Sequence, residues 1–376
     1  MHDSDDPRAW PAQASPPAAR LHALAAQSLA AATRAESDRL DAEARDALTS
    51  LLRGDDGPAL RAVFATAPGA AVCRHLWRLL VESESLAAKG GDVELTTFAL
   101  PLVIVAGLAD AAQASRMLPG VLKDMPALTN LLREHDALAG NRTFVLAKVL
   151  AAADALELER LPGLLGAGRL RDAPGVTPIP PMDLPPAPIA VSAGHESVHL
   201  RFIVGAALAG PGVDLLAPRG DRTWAMPFGQ AVGVQLAVPG ASVIALAHAP
   251  QRLVPALTTG RALQREVSAQ VFVSNALRRM RGGVGEPSAA ISAHRAPDSL
   301  AGGELRLSLS SPFAPRDAEG FRCPLYATDR IADVVQMLAT LLRDCRVADV
   351  RIVPGVHADR DAATGVPLLF RADALH

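Results

Sequence analysis

Apolar positions recur at helical spacing through the first part of this chain and give way, after a proline-rich stretch, to short alternating or continuous apolar runs. From Ala18 to Arg53 there is neither Gly nor Pro, and Leu21, Leu24, Leu40, Leu48, Leu51 and Leu52 fit one helical stripe. Arg34 with Asp38 and Asp41 with Arg45 stand one turn apart, where opposite charges attract. Asp56-Gly57-Pro58 then turns the chain into a second helix running to about Thr66, with Pro58 in its first turn. A third helix is predicted over 70–88, its apolar face carrying Cys73, Leu76, Trp77, Leu80 and Val81. Further helices are read at 94–118, bent at Pro101, then at 126–138 and 142–159.

Residues 174–188 hold prolines at 174, 178, 180, 181, 185, 186 and 188, a composition that enforces an extended, semi-rigid linker. Beyond it, 198–204, 213–217, 232–238 and 242–247 read as strands, the last two flanking a Pro-Gly turn. A helix follows at 261–281, strands at 289–292 and 304–310, a polar loop at 311–322, a helix at 331–342 and a strand at 347–353. The expected architecture is therefore α+β with two domains. An acidic, proline-bearing tail covers 1–17, an all-helical bundle or stack covers 18–170, and 171–188 is the linker. A mixed α/β domain with its sheet covered by helices fills 189–376, divisible into two small pseudo-repeats.

Length supports two cores, since one core stops growing at about 250–300 residues and this chain has 376. Apolar residues make up 49% and aromatics 3%, so Ala, Leu and Val must build those cores. The net charge of −2 gives no bulk attraction to polyanions, and only Lys89, Lys123 and Lys148 are lysines among 37 basic residues. Together with the scarcity of aromatics, this argues against nucleic acid as a partner. The longest apolar run, 98–109, is too short to span a bilayer core that needs about 20 residues. Three cysteines close no disulfide framework, and the acidic start lacks a secretion signal, so the cytoplasm is the expected compartment.

Three features carry candidate chemistry. His195-Glu196-Ser197-Val198-His199 is a literal HExxH, which on a helix sets two imidazoles on one face to hold zinc, with Glu196 as general base. On a strand the same histidines stand about 13 Å apart at about 3.3 Å per residue, too far to share one ion. Gly194 and the branched residues after His199 favour the strand. Arg252, Arg261, Arg265, Arg278, Arg279 and Arg281 face one acid, Glu266, so Arg278, Arg279 and Arg281 at the helix end are candidate phosphate ligands. The same charges suit a helix C-terminus without any ligand.

Third, Arg219, Asp221, Arg222, Trp224 and Phe228 form a segment rich in the residue types that anchor interfaces. Its alternative is a turn with Trp224 folded onto the core. Cys323, with His294 or His357 brought near in space, is a weaker candidate for a Cys-His pair. The leading expectation is a non-enzymatic interaction or adaptor protein without a cofactor, binding a protein partner, with self-association left open. A zinc hydrolase using His195, Glu196 and His199 is the first alternative, and phosphate or nucleic-acid binding through 261–281 is the second.

Overall fold

The computed structural model describes residues 15–88, 94–108, 115–138, 144–169, 184–194, 196–209, 216, 223–280, 286–295, 303–311, 314–326, 328–347 and 349–357. In chain order the elements begin with helices α1 Pro16–Ala30, α2 Arg34–Arg53, α3 Gly57–Ala65 and α4 Ala70–Ala88. There follow β1 Glu94–Leu108, β2 Arg116–Leu118, α5 Met125–Glu134, β3 Phe144–Ala152, a 3-10 turn Ala153–Leu156 and α6 Leu161–Arg169. Then come β4 Ile189–Val191, β5 Ser197–Ala209, α7 Ala225–Leu236, β6 Ala241–Ala247 and α8 Leu253–Met280. The order closes with β7 Ser288–Arg295, β8 Gly303–Ser311, β9 Ala314–Pro324, α9 Ile331–Asp344 and β10 Asp349–His357. An N-terminal helical stack, α1–α4, thus precedes a mixed α/β region. The chain forms two compact units, the first from Met1–Leu95 with Leu156–Ile179, the second from Thr96–Ala155 with Pro180–His376.

In the first unit the expected single helix over 18–53 is two helices. Thr33 stops the first and starts the second: its backbone is extended, and its side chain accepts the Glu36 N–H at 3.3 Å, the Thr-x-x-Glu signature of a helix start. Pro16 and Pro17, read as part of a loose tail, occupy the first turn of α1, where a missing N–H costs nothing. Asp56 caps α3 through the Ala59 N–H at 3.1 Å. Leucines from all four helices are buried, and Phe64 meets Trp77 edge to face at 5.1 Å. At Gly57 a Cβ would overlap the Glu159 carbonyl oxygen, so this glycine is what lets α3 begin there.

A polar hub ties α1, α2 and α4 together. The Asp41 carboxylate accepts from Ser28 Oγ at 2.6 Å, His75 Nε2 at 2.8 Å and Arg78 Nη2 at 2.6 Å. Asp41 therefore does not pair with the Arg45 guanidinium through its carboxylate as its spacing suggested; Arg45 bonds the Asp41 main-chain oxygen and the Glu82 carboxylate instead. Burial pushes the Asp41 pKa up, but the bonds from Ser28, Arg78 and His75 outweigh it and hold the group below its ordinary value. A depressed carboxylate stabilises the fold above its unfolded pKa, and that contribution disappears as pH falls through the folded value. Urea unfolding of the wild type should thus lose stability below pH about 4, and Asp41→Asn should flatten that acid limb while lowering stability at pH 7. Parallel acid limbs in the two proteins would remove Asp41 from the account.

In the second unit, one four-stranded sheet has the order β3-β5-β1-β6 and another the order β10-β7-β8-β9. The helices expected at 94–118 and 142–159 are strands there, so the span 18–170 is not all-helical. The reason is burial on both faces. Phe98, Leu100, Leu102 and Ile104 enter one core while Ala99 and Val103 are equally inaccessible on the opposite face, leaving a continuous apolar run with no helical period. Pro101 lacks an N–H but offers its carbonyl to the His248 N–H at 2.9 Å. Two more expectations are reversed: 232–238 lies largely in α7, because Phe228, Val232 and Leu236 recur every four residues into the core, and 311–322 overlaps β9.

Helix α8 serves both sheets. Gly260 meets Leu200 and Phe202 of β5, while Ala269, Val273 and Ala276 enter the core of the second sheet. Residues 170–183 of the proline-rich stretch lie outside the described residues. Its end is fastened to the first sheet: Ala187 N–H bonds Leu150 O at 3.1 Å, and Arg201 donates to the carbonyls of Ala187 and Pro188 at 3.0 and 3.2 Å.

Candidate interaction surface

From Glu196 to His199 the HExxH segment is not helical. Gly194 turns the chain at φ 93°, and from Ser197 onward the backbone is β5, so the one-turn spacing that brings two imidazoles to a zinc ion is absent. His195 lies outside the described residues. His199 Nε2 lies 2.8 Å from Ser197 Oγ, whose own hydrogen goes to the Ala106 carbonyl at 3.2 Å. Burial, then the Arg201 charge, pushes the His199 pKa down, which favours the neutral ring. Ser197 spends its proton on the main chain and is not poised as a nucleophile. The same Ser-x-His arrangement recurs in the second sheet, with Ser292 Oγ and His294 Nε2 2.8 Å apart. Among the described residues, no group of three or more His, Cys, Asp or Glu gathers as a metal site.

The arginines of α8 disperse rather than converge. Arg265 is buried and reaches Asp329 with both terminal nitrogens, one bond measuring 3.1 Å, and donates to the Pro324 carbonyl at 3.2 Å. Arg279 grips Glu319 with Nε, at 2.7 Å, and Nη2, and this partner holds its guanidinium above its ordinary pKa. Arg261 lies 4.9 Å from the Tyr326 ring centroid. Arg278 is exposed and Arg281 is outside the described residues. The acids that occupy this helix come from β9 and from the turn before α9, beyond the reach of a local charge count, and Arg279 is thereby committed to a carboxylate instead of a phosphate.

Cys323 and His294 do not form a pair. Register places Cys323 opposite Leu305 and His294 opposite Glu304, so strand alternation sends the two side chains to opposite faces of one sheet. Burial pushes the Cys323 thiol up to about 12, which keeps it protonated.

Arg219, Asp221 and Arg222 lie outside the described residues. Trp224 and Phe228 are in the core, 3% and 0% exposed, with ring centroids 5.7 Å apart and nearly perpendicular. They support α7 from within and are not free to anchor a partner. What reaches the surface is the opposite flank of that helix: Met226 and Val234, two turns apart, are 73% and 77% exposed. On β6, an outer strand, Ile244 and Leu246 are 60% and 46% exposed.

The chain builds this surface from small residues. Gly229 and Gly233 bring α7 against the β6 backbone near Ala245 and Val243. Gln235 Oε1 accepts the Lys123 and Asp124 N–H groups, both at 2.8 Å, and so ties α7 to the start of α5. Ile244 and Leu246 stand opposite Val105 and Val103, hence on the sheet face away from α7. From Thr223 to Gln251 the chain holds no Asp, Glu, Lys or Arg. That absence of Asp, Glu, Lys and Arg is the sequence signal that points to β6. No helix among the described residues is long and apolar enough to cross a membrane, so these side chains do not belong to a spanning helix. Compared with protein-family models, curated proteins and solved structures, the chain matches none.

Proposed function

We propose that this chain is a non-enzymatic interaction protein of the cytoplasm, and that a partner polypeptide covers the exposed face of the outer strand β6 with apolar side chains of its own. One observation carries the reading: Ile244 and Leu246 stand exposed on an outer strand, in a stretch that holds no Asp, Glu, Lys or Arg. Outer strands are ordinarily guarded by charge or proline, because an apolar edge invites association. Leaving two large apolar groups on an edge wet forgoes about 25 cal/mol for each Å² that a partner could cover. The partner is either a second copy or another chain.

The test is photo-crosslinking from position 244 or 246 in the protein's own source, with positions 234, on the other side of the sheet, and 278 as controls. A single polypeptide should be captured from 244 and 246 only, and the double variant Ile244→Asp with Leu246→Asp should weaken its binding by roughly tenfold or more, because a charge would be buried unpaired. Undiminished binding by that folded variant would place the partner elsewhere.

A further inference from the structure

A groove of about 270 Å³ opens in the second unit between the start of β5, the C-terminal half of α8 and β9. Val198, Val271 and the rings of Phe272 and Phe321, which stack 5.4 Å apart at 24°, line it together with the uncharged polar side chains of Ser268 and Asn275. Two charged side chains line it, and they differ in kind. Arg279 is neutralised by its paired bonds to Glu319. Glu196 is exposed, and no hydrogen bond or ion pair engages its carboxylate among the described residues. Its stem rests over Gly107, where a Cβ would come 3.2 Å from Glu196 Cγ. The groove therefore presents an aromatic and aliphatic floor with one uncompensated negative charge at its rim.

We propose that this groove binds a primary alkylammonium group, with the ammonium at Glu196 and the alkyl stem along the Phe272–Phe321 stack. The chemistry follows from what the lining offers. A carboxylate attracts a cation, an aromatic face attracts it further, and the apolar floor rewards the stem for leaving water. An anion would meet Glu196 with only a neutralised arginine to offset it. The volume is below the roughly 300–1,000 Å³ of pockets for drug-sized ligands, and suits a single flexible side chain or a small amine. Two sources share this chemistry, a lysine side chain presented by a partner polypeptide and a free alkyl amine. The binding of a small amine is read without the partner of β6, so either proposal can fail without the other.

Saturation-transfer NMR on the full chain with n-pentylammonium, n-pentanol and pentanoate decides the matter. Pentylammonium should show transfer along its methylenes and compete with neither control, and Glu196→Gln should weaken it by about tenfold, the loss of one charge-assisted contact. Because Glu196 is exposed, that variant should keep the wild-type circular dichroism and melting temperature. Equal binding of pentanol, preferential binding of pentanoate, or unchanged binding by Glu196→Gln would overturn the proposal. With pentylammonium bound as expected, tighter binding of N-acetyl-lysine N-methylamide than of pentane-1,5-diamine would assign the site to a polypeptide lysine, and the reverse order to a free amine.

Discussion

Arg265→Ala should cost the second unit about 3–5 kcal/mol, because the Asp329 carboxylate then stays buried without its countercharge. The two side chains are 7% and 13% exposed, so water cannot readily replace the lost partner. Asp329 would retain the Tyr326 N–H at 2.7 Å, a bond too small to offset the charge. The wild-type arrangement is itself imperfect, since Arg265 Nε is buried with no acceptor. For that reason the double variant Arg265→Met with Asp329→Leu should lie close to wild type, although each single substitution at this pair is costly. Denaturant unfolding followed through the buried Trp224 measures all of them. A loss below about 1 kcal/mol for Arg265→Ala would mean that the pair behaves as an exposed one.

Gly229→Ala should be the more damaging of two similar changes in α7, by about 1–3 kcal/mol relative to Gly233→Ala. At Gly229 the added methyl would overlap the Ala245 carbonyl oxygen and approach its carbon to 3.2 Å. Backbone cannot swing aside as a side chain can, so α7 would have to lift from β6. At Gly233 the nearest atom, Val243 O, would be 3.4 Å away, an ordinary contact, and the gain in helix propensity offsets part of the cost. Thermal melts of the two variants provide the comparison. Equal melting temperatures would show that α7 slides on the sheet without resistance.

The helical first third was legible because its leucines carry a helical period and its turns carry Gly and Pro. The break at Thr33 needed a different signal, a capping side chain with Glu three residues on, which a search for Gly and Pro passes over. Strands β1 and β3 were misread because both are rich in Ala and Leu, residues that suit helices, and because a strand buried on both faces loses its alternation. Helix α7 was misread in the opposite sense, its branched valines outweighing the four-residue recurrence of Phe228, Val232 and Leu236. At the surfaces, Arg222 and Trp224 stand out by residue type, but the legible signal is that Thr223 to Gln251 holds no Asp, Glu, Lys or Arg. Glu196 was visible only as part of a zinc motif; its place beside Phe272, Phe321 and Arg279 depends on contacts distant in sequence.

The interleaving of the two units has a consequence for synthesis. The helical stack is interrupted after residue 95 and resumes only at 156, so a ribosome delivers α6 after three strands that belong to the other unit. Strand β1, apolar on both faces, emerges over a hundred residues before its neighbour β6. Until β5, its other neighbour, has been made, the nascent chain carries β1 unpaired, the situation in which long-range pairing slows folding and chaperones are recruited. Cutting the gene at the proline-rich stretch would make the interval permanent for the N-terminal product, because β1 and β3 would never meet β5 or β6.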